Sequence, residues 1–330
     1  MGSSVMTLID AAGIRVEPGG FQIGHVTDNE AKTGVTVIYF PDGARCGCDI
    51  SGGGPASRET PLASPLTADN LINALVLSGG SAYGLAASNG VMKYLEEQGI
   101  GFDTGFSKVP LVMQSCIFDL GYGSTCRPDE GMGREAACEA LKNKSLKMVT
   151  PLMGNVGAGT GATVGKICGM KRASKCGLGI SSLKLGELEV TAIVAVNALG
   201  DIIDPECGIE IAGLRSEDRS EIMNSVEKIY EMASTPKAAL NTTIGAVITN
   251  ADFNKGEANK LASMTRTAYA RCIYPVGTMM DGDSIYAACL GNIKADLNTV
   301  GTLASEAMAK AIINAVKTSK ISEDEYLKNV

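Results

Sequence analysis

The sequence predicts a compact, enzyme-like fold of the α+β class, on two observations. Hydrophobic residues make up 45% of the 330 positions and 40 positions are glycine, a composition typical of a folded domain with many tight turns. Apolar, β-branched runs such as 188–196 are interspersed with amphipathic segments of helical period such as 301–317, which indicates strands and helices in one chain. The length fits one large domain or two ordinary ones.

In the N-terminal part of the chain, strands are predicted first and a helix follows. Residues 21–60 are predicted to form strands joined by glycine-rich turns, one of them the Pro-Asp-Gly turn at 41–43. A buried strand is predicted at 71–77. A helix is predicted over 82–98, because its apolar residues recur at helical spacing and Gly99 follows.

Strand-like and helix-like patterns of hydrophobic residues also alternate along the rest of the chain. The predicted elements are, in order, a mixed strand and loop region at 107–117, a short helix at 133–142, a strand at 188–196, helices at 216–232, 255–270 and 301–317, and a charged tail at 321–330. A weakly structured lead-in that contains a proline occupies 233–239 and leads into an apolar strand.

Charge and hydropathy argue against several classes of protein. The net charge of −7 and the pI of about 5.0 disfavour a nucleic-acid binder. No run of about 18 apolar residues exists, so no transmembrane helix is expected, and no signal peptide is recognisable. Residues 1–4 resemble a leader added for expression. We therefore expect a cytoplasmic protein without membrane or nucleic-acid partners.

The chain holds ten scattered cysteines and a single histidine, His25. A zinc site needs clustered Cys and His side chains, and the acidic turn at 281–283 lacks the further ligands of a calcium loop, so we expect no metal and no cofactor. His25 lies in a strand-like stretch and is interpreted as structural. A hydrolase without a histidine base can use an α-amino group, whose unperturbed pKa of about 7.7–8.0 is close to working pH.

Such an amine can arise at the loop-to-strand junction that follows the lead-in. There the chain reads Asn241, Thr242, Thr243. A cut between Asn241 and Thr242 gives Thr242 a free α-amine beside its own hydroxyl. Because only the residue directly after the cut gains this amine, Thr242 rather than Thr243 is the predicted nucleophile.

Three other features allow two interpretations each. The glycine-rich stretch 154–166 fails the Walker pattern but weakly matches a dinucleotide fingerprint; alternatively, it is a wall of small residues beside a site, with Lys166 as its one charge. Tyr83 either projects into a cleft or packs in the core. Asn197, at the end of a strand, either caps a turn or directs its amide at an oxyanion.

Six stretches in a fixed order are shared with one family. They are Gly52-Gly53-Gly54-Pro55 with Arg58-Glu59-Thr60, Gly79 to Leu85, Gly154 to Lys166, Asn197 to Asp201, Asn241-Thr242-Thr243, and Asp281 to Ser284. Together they resemble the L-aminopeptidase/D-esterase family, which includes β-aminopeptidases and 6-aminohexanoate (nylon) oligomer hydrolases. The resemblance spans about residues 7 to 317.

This resemblance implies a four-layer α-β-β-α sandwich, related in fold to ornithine acetyltransferase and formed as a single hydrolase domain over 1–330. It implies self-cleavage into an alpha subunit, 1–241, and a beta subunit, 242–330. The autocleavage residues would be Asn241 and Thr242, with Thr242 as the nucleophile. The other catalytic residues that it implies are Lys166, Asn197, Asp281 and Asp283, with Tyr83 binding substrate.

The implied function is that of a self-processing N-terminal threonine amidohydrolase or aminopeptidase, which cleaves peptides or small amides through a Thr acyl-enzyme. The substrate is left open, because Asp281 and Asp283 match the nylon-oligomer branch whereas the 58–60 stretch matches the general aminopeptidase pattern. An acyltransferase of the ornithine acetyltransferase type is the alternative, and a nucleotide-binding oxidoreductase is a more remote one. The family also implies a homo-oligomer, a tetramer of processed alpha–beta pairs.

Overall fold

The computed structural model describes residues 7–9, 20–143, 152–232 and 241–330. The lead-in at 233–239 and the leader at 1–4 lie outside the described residues. Within these ranges the α-helices are α1 (Ala87–Glu97), α2 (Glu130–Lys142), α3 (Ser225–Glu231), α4 (Lys255–Thr265), α5 (Thr267–Cys272), α6 (Leu297–Thr318) and α7 (Glu323–Leu327). The strands are β1 (Thr7–Ile9), β2 (Gln22–Asp28), β3 (Thr33–Ile50), β4 (Ser57–Arg58), β5 (Ile72–Ser78), β6 (Phe102–Asp103), β7 (Lys108–Val109), β8 (Val112–Cys116), β9 (Thr163–Val164), β10 (Ser174–Lys175), β11 (Leu178–Leu185), β12 (Leu188–Ala195), β13 (Asp201–Asp204), β14 (Ile209–Ala212), β15 (Ile244–Ala251), β16 (Ile273–Tyr274) and β17 (Ser284–Ile293).

Strand β3 connects the two halves of the main sheet. The strand order is β1-β11-β12-β15-β17-β3-β5-β8-β4, and β2 also pairs with β3. The first part of β3 pairs with β2 and β5, whereas its last part pairs with β17. Two half-sheets therefore share one long strand. Within the main sheet, the described parallel pairs are β15–β17 and β5–β8.

The prediction of a turn at 41–43 is wrong. These residues lie inside β3, where the register with β5 shifts between Tyr39 and Ala44 and Gly43 has a φ of 74°. The chain forms a bulge and continues, because the residues beyond it pair with a new partner, β17. Proline lacks an N–H, so it is tolerated where the ladder is interrupted.

Three buried apolar clusters separate four layers. The first lies between the half-sheets and joins Leu75 and Met113 of one with Ile193 and Ile248 of the other. The second packs α4, α5 and α6 against the half-sheet that contains β12 and β15. The third packs α1 and α2 against β3 and β5. The layers run helix, sheet, sheet, helix, which confirms the α-β-β-α sandwich.

Most predicted elements are present with shifted ends. The strands predicted at 71–77 and 188–196 are β5 and β12, and the helices predicted at 133–142 and 301–317 are α2 and α6. The helix predicted over 82–98 begins as a 3-10 turn, Ser81–Ala86, and continues as α1. The helix predicted over 255–270 is divided at Arg266 into α4 and α5.

The prediction of a helix over 216–232 is wrong in extent, because only α3, Ser225–Glu231, is helical there. Arg219 adopts a left-handed φ of 62°, which interrupts a helix. Its guanidinium donates a hydrogen bond to the carbonyl oxygen of Ala173 at 3.0 Å. The helix begins only after Asn224, whose side chain accepts hydrogen bonds from two backbone N–H groups of the first turn.

The segment predicted as a charged tail, 321–330, contains a docked helix instead. Ser322 caps α7. Tyr326 is 1% exposed, and its ring stacks on that of Tyr122 with centroids 5.4 Å apart. The burial of Tyr326 against Tyr122 holds the helix in place. The acidic residues around Tyr326 had favoured an exposed tail instead.

Two kinds of feature are absent from the described ranges, a membrane-spanning helix and a metal-binding cluster. No helix there is long and apolar enough to cross a membrane. No group of three or more His, Cys, Asp or Glu side chains in those ranges is arranged to hold a metal ion. The ten cysteines are free thiols.

Candidate active site

Two loop-to-strand junctions lie side by side at the start of β15 and β17. Asn241 forms an isolated parallel bridge with Asp281, and the backbone N–H of Ser284 donates to the carbonyl oxygen of Thr243 at 3.1 Å. Neighbouring parallel strands begin at the same edge of a sheet, so the segments that precede them must lie together. The sheet therefore joins the predicted cleavage point to the predicted acidic pair.

The carbonyl oxygen of Asn241 is contacted from two sides. The Thr242 hydroxyl donates a hydrogen bond to it, and the backbone N–H of Gly282 donates a second at 2.9 Å. The backbone N–H of Thr242 donates to the carbonyl oxygen of Asn197 at 3.0 Å. Thr242 is 4% exposed. The hydroxyl, the carbonyl oxygen and the amide nitrogen of this peptide unit are thus all held by specific contacts.

Lys166 carries the buried amine of the site. Its Nζ donates to Asn197 Oδ1 at 2.8 Å and to the Asn197 carbonyl oxygen at 3.0 Å. The same carbonyl accepts from the Thr242 N–H, so the amine of Lys166 and the nitrogen of Thr242 are close neighbours. Burial lowers the pKa of Lys166 to about 7, against the opposing attraction of Asp281 and then Asp119.

The glycine-rich stretch before Lys166 is a buried wall. Every residue from 156 to 167 is buried. The backbone N–H groups of Gly157 and Ala158 donate to the hydroxyls of Thr27 and Thr36, at 2.8 and 3.1 Å. A phosphate loop presents free N–H groups to its ligand, whereas these are occupied. The packing fits the small-residue wall rather than a nucleotide loop.

The side chain of Asn197 is engaged in contacts other than the predicted oxyanion. Its Oδ1 accepts from the Thr163 N–H at 3.1 Å as well as from Lys166, which fixes the orientation of the amide. Its Nδ2 then donates to the carbonyl oxygen of Phe118 at 2.9 Å. In the uncut chain Asn197 therefore supports the site through its own carbonyl oxygen and its link to Lys166.

Asp281 and Asp283 hold the backbone around the junction. Asp283 accepts from the N–H of Thr243 at 2.6 Å and from the N–H of Gly277 at 3.0 Å. Asp281 accepts from the N–H and the hydroxyl of Thr278, at 2.9 and 2.7 Å. Burial first, and then the neighbouring charge of Asp281, raise the pKa of Asp283 to about 7. The two carboxylates thus fix the geometry of both junctions.

Asp119 is a buried acid that the sequence did not single out. Its carboxylate accepts from the Gly80 N–H at 2.6 Å and from the Thr33 hydroxyl at 2.7 Å. Its charge also acts on Lys166. Burial raises the pKa of Asp119. The available signal was an acid directly after the apolar stretch that becomes β8, which is an unusual place for a charge unless it is paired.

Tyr83 projects from the 3-10 turn Ser81–Ala86 and is 60% exposed, which excludes the core-packing interpretation. The guanidinium of Arg127 lies 3.9 Å from its ring centroid. Asp119, whose charge acts on Lys166, accepts a hydrogen bond from the N–H of Gly80 directly before this turn. Arg127 was also missed, because nothing in its sequence spacing points to Tyr83.

His25 belongs to the scaffold. Its Nδ1 lies 3.0 Å from the Thr36 hydroxyl, and its backbone N–H donates to Glu139 at 2.8 Å. Burial lowers the pKa of His25 to about 4, which keeps the ring neutral at pH 7. These contacts agree with the structural interpretation of this residue.

The chain is similar to known proteins over most of its length. Residues 7–324 match the family model described as peptidase family S58. An uncharacterized aminopeptidase of Mycobacterium leprae (strain TN) is 34% identical, over 90% of this chain and 88% of that protein. A 6-aminohexanoate-oligomer endohydrolase of Kocuria sp. (strain KY2) is 30% identical, over 92% and 86%.

Solved structures show the same fold. A Burkholderia sp. beta-aminopeptidase aligns with a TM-score of 0.64 at 17% identity, covering 94% of this chain and 90% of that one. The L-aminopeptidase D-Ala-esterase/amidase of Ochrobactrum anthropi, described as a variant of the Ntn hydrolase fold, aligns with a TM-score of 0.63 at 15% identity, over 95% and 91%. Because the family match extends over nearly the whole sequence, the chain belongs to peptidase family S58.

Proposed function

We propose that this protein is a self-processing N-terminal threonine amidohydrolase, which cuts its own Asn241–Thr242 bond and then uses Thr242 on external substrates. As a member of family S58 with aminopeptidase and endohydrolase relatives, it is a hydrolase of amide or peptide bonds. The observation that carries the proposal is the contact of the Thr242 hydroxyl with the Asn241 carbonyl oxygen inside a buried site.

Self-cleavage starts with attack of Thr242 Oγ1 on the carbonyl carbon of Asn241. The hydroxyl proton is transferred to the Thr242 nitrogen, the C–N bond breaks, and an ester remains between Asn241 and Oγ1. Water then hydrolyses this ester, which leaves the fragments 1–241 and 242–330. Because the second fragment begins with a strand at the centre of the sheet, the fragments stay together.

In the processed protein the α-amine of Thr242 acts as the base for its own hydroxyl, directly or through a water. The nitrogen keeps its contact with the Asn197 carbonyl oxygen, beside the amine of Lys166. A neighbouring positive charge lowers the pKa of an amine, so Lys166 favours the neutral form of Thr242 that the mechanism requires. Asp281 and Asp283 hold the backbone and balance the local charge.

Residue 241 occupies the acyl side of the nucleophile, so the space that it leaves is the proposed acyl pocket. The carboxamide of Asn241 is buried without a hydrogen-bond partner among the described residues. A pocket that offers no polar partner disfavours polar acyl groups. Hydrocarbon acyl chains, such as the 6-aminohexanoyl units on which one relative acts, and the apolar residues of peptides fit this description best.

Tyr83 and Arg127 form the proposed outer part of the substrate site. An exposed phenol with a guanidinium above its ring presents both an apolar face and a positive charge, which suits a peptide or oligomer that carries a carboxylate. We also propose a cytoplasmic homo-oligomer, a tetramer of processed pairs. The acyltransferase alternative gains no support from the matched family.

A panel of amide substrates tests the activity. Wild-type protein, incubated with amino-acid p-nitroanilides, short peptides and linear 6-aminohexanoate oligomers, should release amine from at least one of them. The matched control is Thr242→Ala, which keeps the fold but lacks the hydroxyl and should release none. Turnover by the alanine variant at the wild-type rate would exclude Thr242 as the nucleophile.

A further inference from the structure

We propose that the backbone N–H of Gly282 is the oxyanion donor for the self-cleavage step, a role that rests on the proposed cleavage at Asn241–Thr242. Attack on the Asn241 carbonyl carbon places negative charge on the carbonyl oxygen. The Gly282 N–H already donates to that oxygen at 2.9 Å in the uncut chain. The donor is therefore in place before the reaction starts, which is the condition for electrostatic stabilisation of a transition state.

The other candidate donors are occupied or consumed. The Thr242 hydroxyl also donates to the Asn241 carbonyl oxygen, but it gives up its proton when it becomes the nucleophile. The amide of Asn197 donates to the Phe118 carbonyl oxygen. Among the hydrogen bonds of the described residues, the Gly282 N–H is the donor to this oxygen that persists through the reaction.

Residue 282 is also the one position of the acidic turn where a side chain would collide with the nucleophile. A Cβ added to Gly282 would lie 2.8 Å from Thr242 Oγ1 and 2.7 Å from the carbonyl oxygen of Gly54. Such distances force a neighbour to shift, so glycine permits the close backbone approach. The glycine between Asp281 and Asp283 thus brings an N–H group to the scissile carbonyl while leaving the hydroxyl free to attack.

The chemical step balances within the chain. The bond from Thr242 Oγ1 to the carbonyl carbon forms, and the π-electron pair of the carbonyl moves onto the oxygen that faces the Gly282 N–H. When this pair returns, the C–N bond to Thr242 breaks, and the nitrogen takes up the proton that the hydroxyl lost. Gly282 exchanges no proton and acts only through its hydrogen bond.

The test removes this N–H and little else. Gly282 is replaced by glycolic acid in the full chain through cell-free synthesis with a charged suppressor tRNA, which exchanges the N–H for an ester oxygen. The time course of cleavage is followed on denaturing gels. Loss of one oxyanion donor should slow cleavage by about 100-fold or more.

The matched control addresses a side effect of the ester. The ester also makes the carbonyl oxygen of Asp281 a weaker hydrogen-bond acceptor. This oxygen accepts a hydrogen bond from the Gly54 N–H at 2.9 Å. Replacing Gly54 by glycolic acid deletes that same hydrogen bond but leaves the Gly282 N–H intact. This control should cleave at nearly the wild-type rate. Urea unfolding of both ester variants in the Thr242→Ala background checks that their folded states are equally stable.

The outcomes separate this proposal from the one on which it rests. Slow cleavage with the Gly282 ester and normal cleavage with the Gly54 ester supports the oxyanion role. Wild-type cleavage in both, or equal slowing in both, overturns the role of Gly282 while the cleavage itself stands. A wild-type chain that is never cut overturns the proposed function.

Discussion

Replacing Lys166 by methionine tests whether this lysine is a buried amine with a lowered pKa that serves the cleavage site. Methionine has a similar length but cannot donate to Asn197 or titrate. The variant should cleave itself far more slowly, because Asn197, whose carbonyl oxygen holds the Thr242 N–H, loses both hydrogen bonds from Lys166. It should also lose a pH-dependent part of the free energy of unfolding.

The magnitude follows from the pKa values. Lysine titrates at 10.5 in the unfolded chain, whereas burial lowers the pKa of Lys166 to about 7 in the fold. Between these values the unfolded state binds more protons, so the free energy of unfolding rises with pH. The whole shift corresponds to roughly 5 kcal/mol, of which about 1.5 kcal/mol falls between pH 7 and pH 8.5.

The assay is urea unfolding at pH 7, 7.5, 8 and 8.5. Thr242→Ala, which is expected to stay uncut, is compared with the double variant that also carries Lys166→Met. Other titrating groups cancel in the difference between the two curves. Relative to the double variant, Thr242→Ala should gain about 1.5 kcal/mol over this range.

Lys175 provides the matched control. Burial also lowers its pKa to about 7, but its Nζ donates to the carbonyl oxygens of Ala162 and Gly159 at 3.1 and 3.3 Å rather than to Asn197. Lys175→Met should change the pH dependence of stability and still permit cleavage. The reasoning would be refuted if the free energies of unfolding with and without Lys166 changed equally with pH, or if Lys166→Met cleaved itself normally.

Two further predictions concern the acidic pair and the outer site. Asp283→Asn leaves either the Thr243 N–H or the Gly277 N–H without an acceptor. The substitution should lower the free energy of unfolding, measured with urea, by roughly 1–3 kcal/mol, and it should slow cleavage on denaturing gels. Unchanged stability and an unchanged cleavage rate would contradict the positioning role of Asp283. Arg127→Ala removes the positive charge beside the Tyr83 ring. Because an exposed ion pair with a substrate carboxylate is worth about 0.2–1 kcal/mol, KM for such a substrate should rise about threefold in steady-state assays without an effect on self-cleavage. An unchanged KM would remove Arg127 from the substrate site.

Local patterns predicted the individual strands and helices, whereas the four layers followed from the family resemblance and the cleavage junction stays a prediction. The apolar runs that became β5 and β12 carry strand periodicity in themselves, and the order of short stretches around Thr242 needs no three-dimensional information. The continuation of β3 through 41–43 was not predictable in this way, since a Pro-Asp-Gly sequence favours a turn wherever no distant partner competes. Here β17 is that partner, more than 200 residues away along the chain.

The remaining site residues depend on long-range contacts. Asp119 matters because its carboxylate reaches Gly80 and because it lies near Lys166, and no spacing rule connects these positions. Gly282 was visible only as a small residue between two acids, whereas the role that we propose for it depends on where its N–H points. The docking of α7 likewise depends on one contact, between Tyr326 and Tyr122, that an acidic segment does not reveal.

The central claim is that Thr242 cuts the chain at its own amide bond. Intact-mass analysis and N-terminal sequencing of purified wild-type protein, beside Thr242→Ala prepared identically, test it most directly. The wild-type protein should give two fragments, and the smaller should begin Thr-Thr-Ile-Gly at residue 242, while Thr242→Ala stays a single chain. An uncut wild-type chain, a different new N-terminus, or cleavage of the alanine variant at the same bond would contradict the claim.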